Sequence, residues 1–292
     1  MTAIPTTFQA WSVAARLRTL PIPLIQVLAG TALAYSEKGT IDWWIFLCTS
    51  LVGVFITIGT NLINDVIDFD KGADKPQRKG FLKVISAGLI SRAHVQMAGI
   101  ASFAIALLFA VPLALHSGWV IFAYVLLSVV CGYCYTGGPY PISYLGLSEL
   151  FILLFYGFVC VVASYYVQTG TLSLQGWLCA LQMGLLAILP NALNNLRDID
   201  EDAAANKRTL AVRFGKAFAR KEMTFLVVTP FVLGLAWIFW GKIQTALFPL
   251  LLIPLAGMFL KRVWRTEPGN MLFGLGVLLH FLFGLLLVLS LI

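Results

Sequence analysis

The sequence predicts an all-α polytopic membrane protein. Of its 292 residues 60% are hydrophobic and only 11% are charged, against about 25% charged in soluble domains. The mean hydropathy is +0.89. The charges also avoid long stretches of the chain and gather between them, which is the pattern of helices that cross a bilayer and loops that do not.

Runs free of Lys, Arg, Asp and Glu cover residues 19–36, 43–64, 93–148, 150–196, 223–241, 243–260 and 268–292. A crossing needs ~20 apolar residues, so the two longest runs must each fold into a pair. Nine transmembrane helices follow, in a single domain over residues 1–292. Residues 1–17 hold no small-residue cleavage site, so the first run reads as a retained span rather than a secretory signal.

The loops set the orientation. On the side that carries the N-terminus lie 18 of the 20 Lys and Arg residues, and only Lys38 and Lys242 fall on the other. Basic loops stay inside, so the N-terminus is expected in the cytoplasm and the C-terminus outside, as in a bacterial cytoplasmic membrane. The net charge of +7 is then mostly topology and requires no nucleic-acid partner. All five cysteines (Cys48, Cys131, Cys134, Cys160 and Cys179) lie in predicted spans. Cys131-x2-Cys134 has redox or zinc spacing, but with no second pair on an apolar helix it reads as packing. His94, His116 and His280 fall in different segments and make no metal cluster.

Two acidic clusters stand at the ends of predicted spans. Asn61, Asn64, Asp65 and Asp68 lead into Asp70 and Asp74, while Asn194 and Asp198 lead into Asp200, Glu201 and Asp202. A shift of 133 positions superposes Asn61 on Asn194, Asp65 on Asp198 and Asp68 on Glu201. The clusters then close helices two and six, so helices one to four and five to eight form two parallel repeats with a ninth helix appended, an arrangement that places a site between repeats. Residues four apart share a helix face, which aligns Asn61 with Asp65, and Asn194 with Asp198 and Asp202. A charged loop between membrane helices is ordinarily only solvated; two clusters on one frame at equivalent positions favour a site. Crowded carboxylates need a cation, and an oxygen-only set suits Mg²⁺ held jointly with substrate phosphate. Basic residues follow each cluster: Lys71, Lys75, Arg78 and Lys79 after the first, Lys207 and Arg208 after the second. Acids for metal and bases for phosphate make a diphosphate site.

These stretches resemble the two aspartate-rich motifs of the UbiA superfamily of intramembrane aromatic prenyltransferases, most closely its dihydroxynaphthoate polyprenyltransferase branch. Three others point the same way: Arg16-Leu-Arg18-Thr19-Leu20-Pro21, Tyr135-Thr-Gly-Gly-Pro-Tyr140-Pro141 and Tyr165-Tyr-Val-Gln-Thr-Gly170. Asp70, where a non-acidic residue is expected, and Arg18, where Lys is usual, depart from the pattern. The resemblance implies Mg²⁺-dependent transfer of a polyprenyl group from its diphosphate to dihydroxynaphthoate with decarboxylation, a step of menaquinone synthesis. It implies Asp65, Asp68, Asp198 and Asp202 as catalytic carboxylates and, with Asp74, as metal ligands. It further implies Arg16, Asn61, Asn64, Lys75, Arg78, Tyr135, Tyr140, Asn194, Lys207 and Arg208 as substrate-binding residues. Tyr135, Tyr140, Phe155 and Tyr156 are candidate aromatic faces for an allylic cation, and the glycine- and proline-rich turn at 135–141 is placed to cap that pocket. A relative acting on 4-hydroxybenzoate would carry Lys-Arg just after Pro141, where Ile142-Ser143-Tyr144 stands. A cation-coupled transporter would place its acids at mid-membrane rather than at helix ends.

Overall fold

The computed structural model describes residues 6–72 and 82–292, and among these every regular element is helical. A short surface helix α1 (Thr7–Ala14) precedes α2 (Leu17–Lys38), α3 (Trp43–Asp70), α4 (Arg92–Ser117) and α5 (Trp119–Cys134). Then come α6 (Ser148–Thr169), α7 (Leu174–Arg197), a short helix α8 (Ile199–Ala204), α9 (Leu210–Trp240), α10 (Ile243–Arg265) and α11 (Asn270–Leu291). Eight of these, all but α1, α5 and α8, are long and apolar enough to cross a membrane.

Helix ends fall where the local chemistry stops or starts a helix. Gly39, Gly170 and Gly241 close α2, α6 and α9 with left-handed backbone near φ +70°, a conformation glycine adopts without a Cβ penalty. Asp42, Ser91, Ser173 and Thr209 accept from the first-turn amides of α3, α4, α7 and α9, satisfying donors that have no partner inside the helix. Gly118 divides the long apolar run at 93–148 into α4 and α5. The sequence places the seventh span at 223–241, but α9 begins at Leu210. Arg213, Lys216, Arg220, Lys221 and Glu222 interrupt the uncharged run, yet they sit on an amphipathic first half bent at Gly215 (φ 81°).

The main core joins α2, α6, α7, α9, α10 and α11 around Ile25, Leu33, Met183, Leu189, Phe259 and Phe283. Smaller clusters seat α1 against the end of α3 and join α3 to α4, α5 and α6. Close approach depends on small residues, as expected where lipid supplies no hydrophobic drive between helices. A Cβ on Gly157 of α6 would lie 2.8 Å from the Ala180 carbonyl and 2.9 Å from Gly184 Cα of α7. The same stretch of α6, Leu153–Val162, is wound as a π-helix, a form that tends to mark functional sites.

Tyr165-Tyr-Val-Gln-Thr-Gly170 turns out to be a clamp at the end of α6. Gln168 donates to the Asp42 carbonyl and accepts from the Asp42 amide, both at 2.9 Å, its own carbonyl accepts from Lys38 at 2.9 Å, and Tyr165 donates to Glu37. This motif ties the α2–α3 turn to α6.

Gly157→Ala should therefore force α6 from α7 at a cost of about 1–3 kcal/mol, read as a lower melting temperature in detergent. Gly274→Ala in α11, where a Cβ meets nothing within 4 Å, should leave melting unchanged or raise it.

Candidate active site

Helices α3 and α7 end side by side, and their acids are buried: Asp65, Asp68, Asp198 and Asp202 are each 4–5% exposed. Asp68, Asp198 and Asp202 line one polar cavity of about 120 Å³ together with Asn64, Asn194, Asn195, Arg16, Lys83, Arg197 and Lys207. Helical hydrogen bonds run from Asp198 N to Asn194 O at 2.9 Å and from Asp202 N to Asp198 O at 2.7 Å. They keep Asn194, Asp198 and Asp202 on one face despite the break at Asp198. On α3 the face is different from that expected: Asn64 and Asp68 line the polar cavity, while Asn61 donates to the Ala15 carbonyl at 3.3 Å.

Cations meet the acids of both clusters. Asp65 Oδ1 accepts from Lys83 Nζ at 2.9 Å and from Arg16 Nη2 at 3.3 Å, and Lys83 also reaches Asp68 Oδ2 at 3.5 Å. Arg197 grips Asp198 with both arms, Nε to Oδ1 at 2.6 Å and Nη2 to Oδ2 at 2.9 Å, the planar fork that arginine alone offers a carboxylate. Among the described residues no three His, Cys, Asp or Glu side chains gather at metal-ligating distance. The donor set nevertheless fits a hard cation. Its carboxylates and amides present oxygen, and the Asn194 amide oxygen is buried with no hydrogen-bond partner among the described residues, as a site for Mg²⁺ requires.

Tyr144 gathers the basic residues that follow the two clusters. Lys71 Nζ stands 4.5 Å from its ring centroid and Lys207 Nζ 5.1 Å, within cation–π range, and its hydroxyl reaches Asp68 at 3.5 Å. Burial pushes the Lys71 ammonium below the ordinary lysine range; Asp68 draws it back up and Lys207 pushes it down again. Lys71 also donates to the Thr136 carbonyl at 2.6 Å, and Thr136 to Asn64 at 2.7 Å, so the turn after α5 packs on the first cluster.

A second cavity, of about 550 Å³, is largely apolar and runs from Arg16, Asn61 and Asn64 along α3 to Thr49. The 15 positions from 64 to 49 span about 22 Å of helix. Its walls include Val52, Ile56, Ile121, Val125 and Val167, with Phe151, Phe155 and Tyr156 from α6. Tyr156 reaches across to Thr57 of α3 at 3.0 Å. Arg16, Asn64, Tyr135, Asn191 and Asn194 line both cavities and form their common boundary. There burial of the phenol pushes Tyr135 up to about 12, leaving its hydroxyl a neutral donor, at 3.1 Å, to Asn191.

Several expected residues stand elsewhere. Tyr140 is 77% exposed and lines neither cavity: the turn points it outward while Tyr135 points in. Arg208 is exposed, and its backbone engages Tyr144 and Arg213. Asp70 pairs with Arg92 at the start of α4, and Asp200 is exposed. Asp74, Lys75, Arg78 and Lys79 lie outside the described residues. The site also draws in Asn195 and Arg197, which stand inside the second aspartate-rich motif without a role given them by it, and Lys83, Asn191 and Tyr144, which carry no mark of function in the sequence. Each of those three looks there like a loop residue or an amide in a span, and only the folding of distant segments onto the clusters distinguishes it.

The profile of the UbiA prenyltransferase family matches residues 24–271. The chain is 36% identical to the 1,4-dihydroxy-2-naphthoate octaprenyltransferase of Mycobacterium tuberculosis, over 78% of this chain and 79% of that one. It is 32% identical to the enzyme of the same name from Escherichia coli, over 93% and 96%. Among solved structures it is similar to a UbiA homologue from Aeropyrum pernix (TM-score 0.73, 15% identity, 95% and 98% covered). A second is a UbiA homologue from Archaeoglobus fulgidus bound to DMAPP and Mg²⁺ (TM-score 0.63, 17% identity, 95% and 98% covered).

Asp65 accepts from two cations inside the protein and Asp70 from one at its edge, so Asp65→Asn should lower the melting temperature far more than Asp70→Asn. The Asp65 loss is put at about 2 kcal/mol, discounted from the ~3–5 kcal/mol of a fully buried pair because Arg16 is partly exposed. Equal shifts in thermal unfolding would contradict this ranking.

Proposed function

The chain belongs to the UbiA prenyltransferase family, and we propose that it transfers a polyprenyl group from polyprenyl diphosphate to 1,4-dihydroxy-2-naphthoate in menaquinone synthesis. One observation carries the reading: a small polar cavity with acids and bases adjoins, across five shared residues, a long apolar one. That is the outline of a substrate with a charged diphosphate head and a hydrocarbon tail.

In this reading the diphosphate lies in the polar cavity, where Arg16, Lys83, Arg197 and Lys207 receive its oxygens by charge-assisted hydrogen bonds. Asp68, Asp198 and Asp202, with the amide oxygens of Asn64, Asn194 and Asn195, would hold Mg²⁺. The bound ion supplies Lewis-acid stabilisation of the leaving diphosphate. The allylic carbon–oxygen bond breaks at the boundary between the cavities, where Tyr135, Phe151, Phe155 and Tyr156 exclude water and face the cationic fragment with aromatic rings. The prenyl tail follows α3 toward Thr49. The naphthoate ring attacks from its carboxyl-bearing carbon, forming a carbon–carbon bond as carbon dioxide leaves. Acids at helix ends, already met by cations, give no mid-membrane ion path of the kind a transporter needs.

We also propose that α5 crosses the membrane as a ninth helix, that α2–α5 and α6–α10 form two parallel repeats in one domain, and that the acidic ends face the cytoplasm. The shared cavity supports this. Between the end of α3 and the end of α7 the chain passes through α4, α5, α6 and α7, and with α4, α6 and α7 crossing, the two ends meet on one side only if α5 crosses as well.

Chelation of divalent metal should abolish transfer and added Mg²⁺ should restore it. Asp68→Ala and Asp198→Ala, in folded protein, should each lower turnover by about 100-fold or more; wild-type turnover in either would sink the two-cluster site. Lys207→Gln should weaken prenyl diphosphate binding more than naphthoate binding, and Arg208→Gln should weaken neither.

Topology has its own test. In a background without the five native cysteines, single cysteines at Gly72 and Ala204 should react with an impermeant thiol reagent only in inverted vesicles, and one at Gly39 only from outside. Labelling of positions 72 and 204 from opposite faces would exclude a shared diphosphate.

A further inference from the structure

Glu149, the second residue of α6, is buried against the boundary between the two cavities and lines neither of them. Its Oε1 accepts from Asn195 Nδ2 at 2.7 Å and from Asn191 Nδ2 at 3.3 Å, while Oε2 is buried without a partner among the described residues. An amide that turns its nitrogen to a carboxyl oxygen must turn its own oxygen away. The consequence differs for the two asparagines. Asn191 Oδ1 is aimed at Tyr135 and takes its hydroxyl hydrogen at 3.1 Å. Asn195, which lines the polar cavity, has its oxygen left for that cavity.

The effect reaches the reacting position through Tyr135. Once its hydrogen is committed to Asn191, the phenol oxygen can offer the cavities only an acceptor. A dihydroxynaphthoate presents hydroxyl donors, and an acceptor of fixed direction at the boundary would orient the ring for attack. The same glutamate thus sets the polarity of one amide facing the diphosphate head and of another behind the acceptor ring. Resting on the prenyl-transfer reading above, we propose that Glu149 is a positioning residue: it orients Asn191 and Asn195, and through Asn191 it makes the Tyr135 oxygen an acceptor for the aromatic substrate's hydroxyl.

A donor–acceptor swap tests this. Glu149→Gln keeps an oxygen that both asparagines can donate to and should retain kcat within about threefold. Asn191→Asp places two carboxyl groups face to face, which bond only when one of them takes up a proton; above the pH at which that proton leaves, kcat should fall by about tenfold or more, as loss of an orienting partner does. The double variant Glu149→Gln/Asn191→Asp replaces the two bonds that Oε1 accepts with one of each kind, the amide introduced at position 149 turning its nitrogen to position 191 while its oxygen accepts from Asn195. It should recover most of the lost kcat, together with the melting temperature. Recovery of melting without recovery of kcat would overturn the positioning role, showing a network that matters only to the fold. Loss of transfer in Glu149→Gln with melting unchanged would overturn it in the other direction, by making the carboxyl itself the reacting group. Wild-type protein unable to prenylate any dihydroxynaphthoate would count against the proposed function instead, and the melting temperatures of the three variants would still decide whether the swap holds.

Discussion

Four carboxylates buried at the ends of two membrane helices constrain this protein more than any other feature. A buried charge is tolerated only when paired and hydrogen-bonded, and here the cations come from separate segments: Arg16 ahead of α2, Lys83 beyond α3, Arg197 beside its own acid. Pairing therefore pins Lys83 and the entry to α2 onto the acidic ends. The same cations that pair with the acids are those that the proposed diphosphate would engage, and the proposed Mg²⁺ would take their place on the carboxylates.

The division of labour between the two cavities follows from where polar groups can be satisfied. The polar one sits where α3 and α7 end and loops supply ammonium and guanidinium groups. The apolar one runs into the helices, where the π-wound stretch of α6 presents Phe155, Tyr156, Val159 and Cys160 to the same space. The ring-lined boundary lies between these regimes, and an ionising bond there would have charge stabilisation on one side and dryness on the other.

The membrane class, most of the spans and both acidic clusters are legible in the sequence, because hydropathy and charge act locally and leave a mark on every window of the chain. What depends on packing is not. Four-residue spacing puts Asn61 with Asp65, but which face of α3 meets α7 is set by neighbours, and it is Asn64 and Asp68 that line the polar cavity. Tyr140 and Tyr144 are four residues apart around one turn and meet different fates, one exposed and one holding two lysines. Glu149 reads only as the boundary of an apolar run, since a lone acid before a span carries no sign of the two asparagines, 42 and 46 positions on, that fold against it. The start of α9 is hidden by charges that its amphipathic first half accommodates.

Arg16 has left-handed backbone, φ 52° and ψ 49°, a region that costs a non-glycine residue about 1 kcal/mol or more. Glycine would occupy it with less strain, so a substitution that relaxes the chain here would also remove the guanidinium that borders both cavities. The guanidinium that borders both cavities is also the one that reaches buried Asp65 at 3.3 Å, so the strained turn is held in place by the same contact that equips the site.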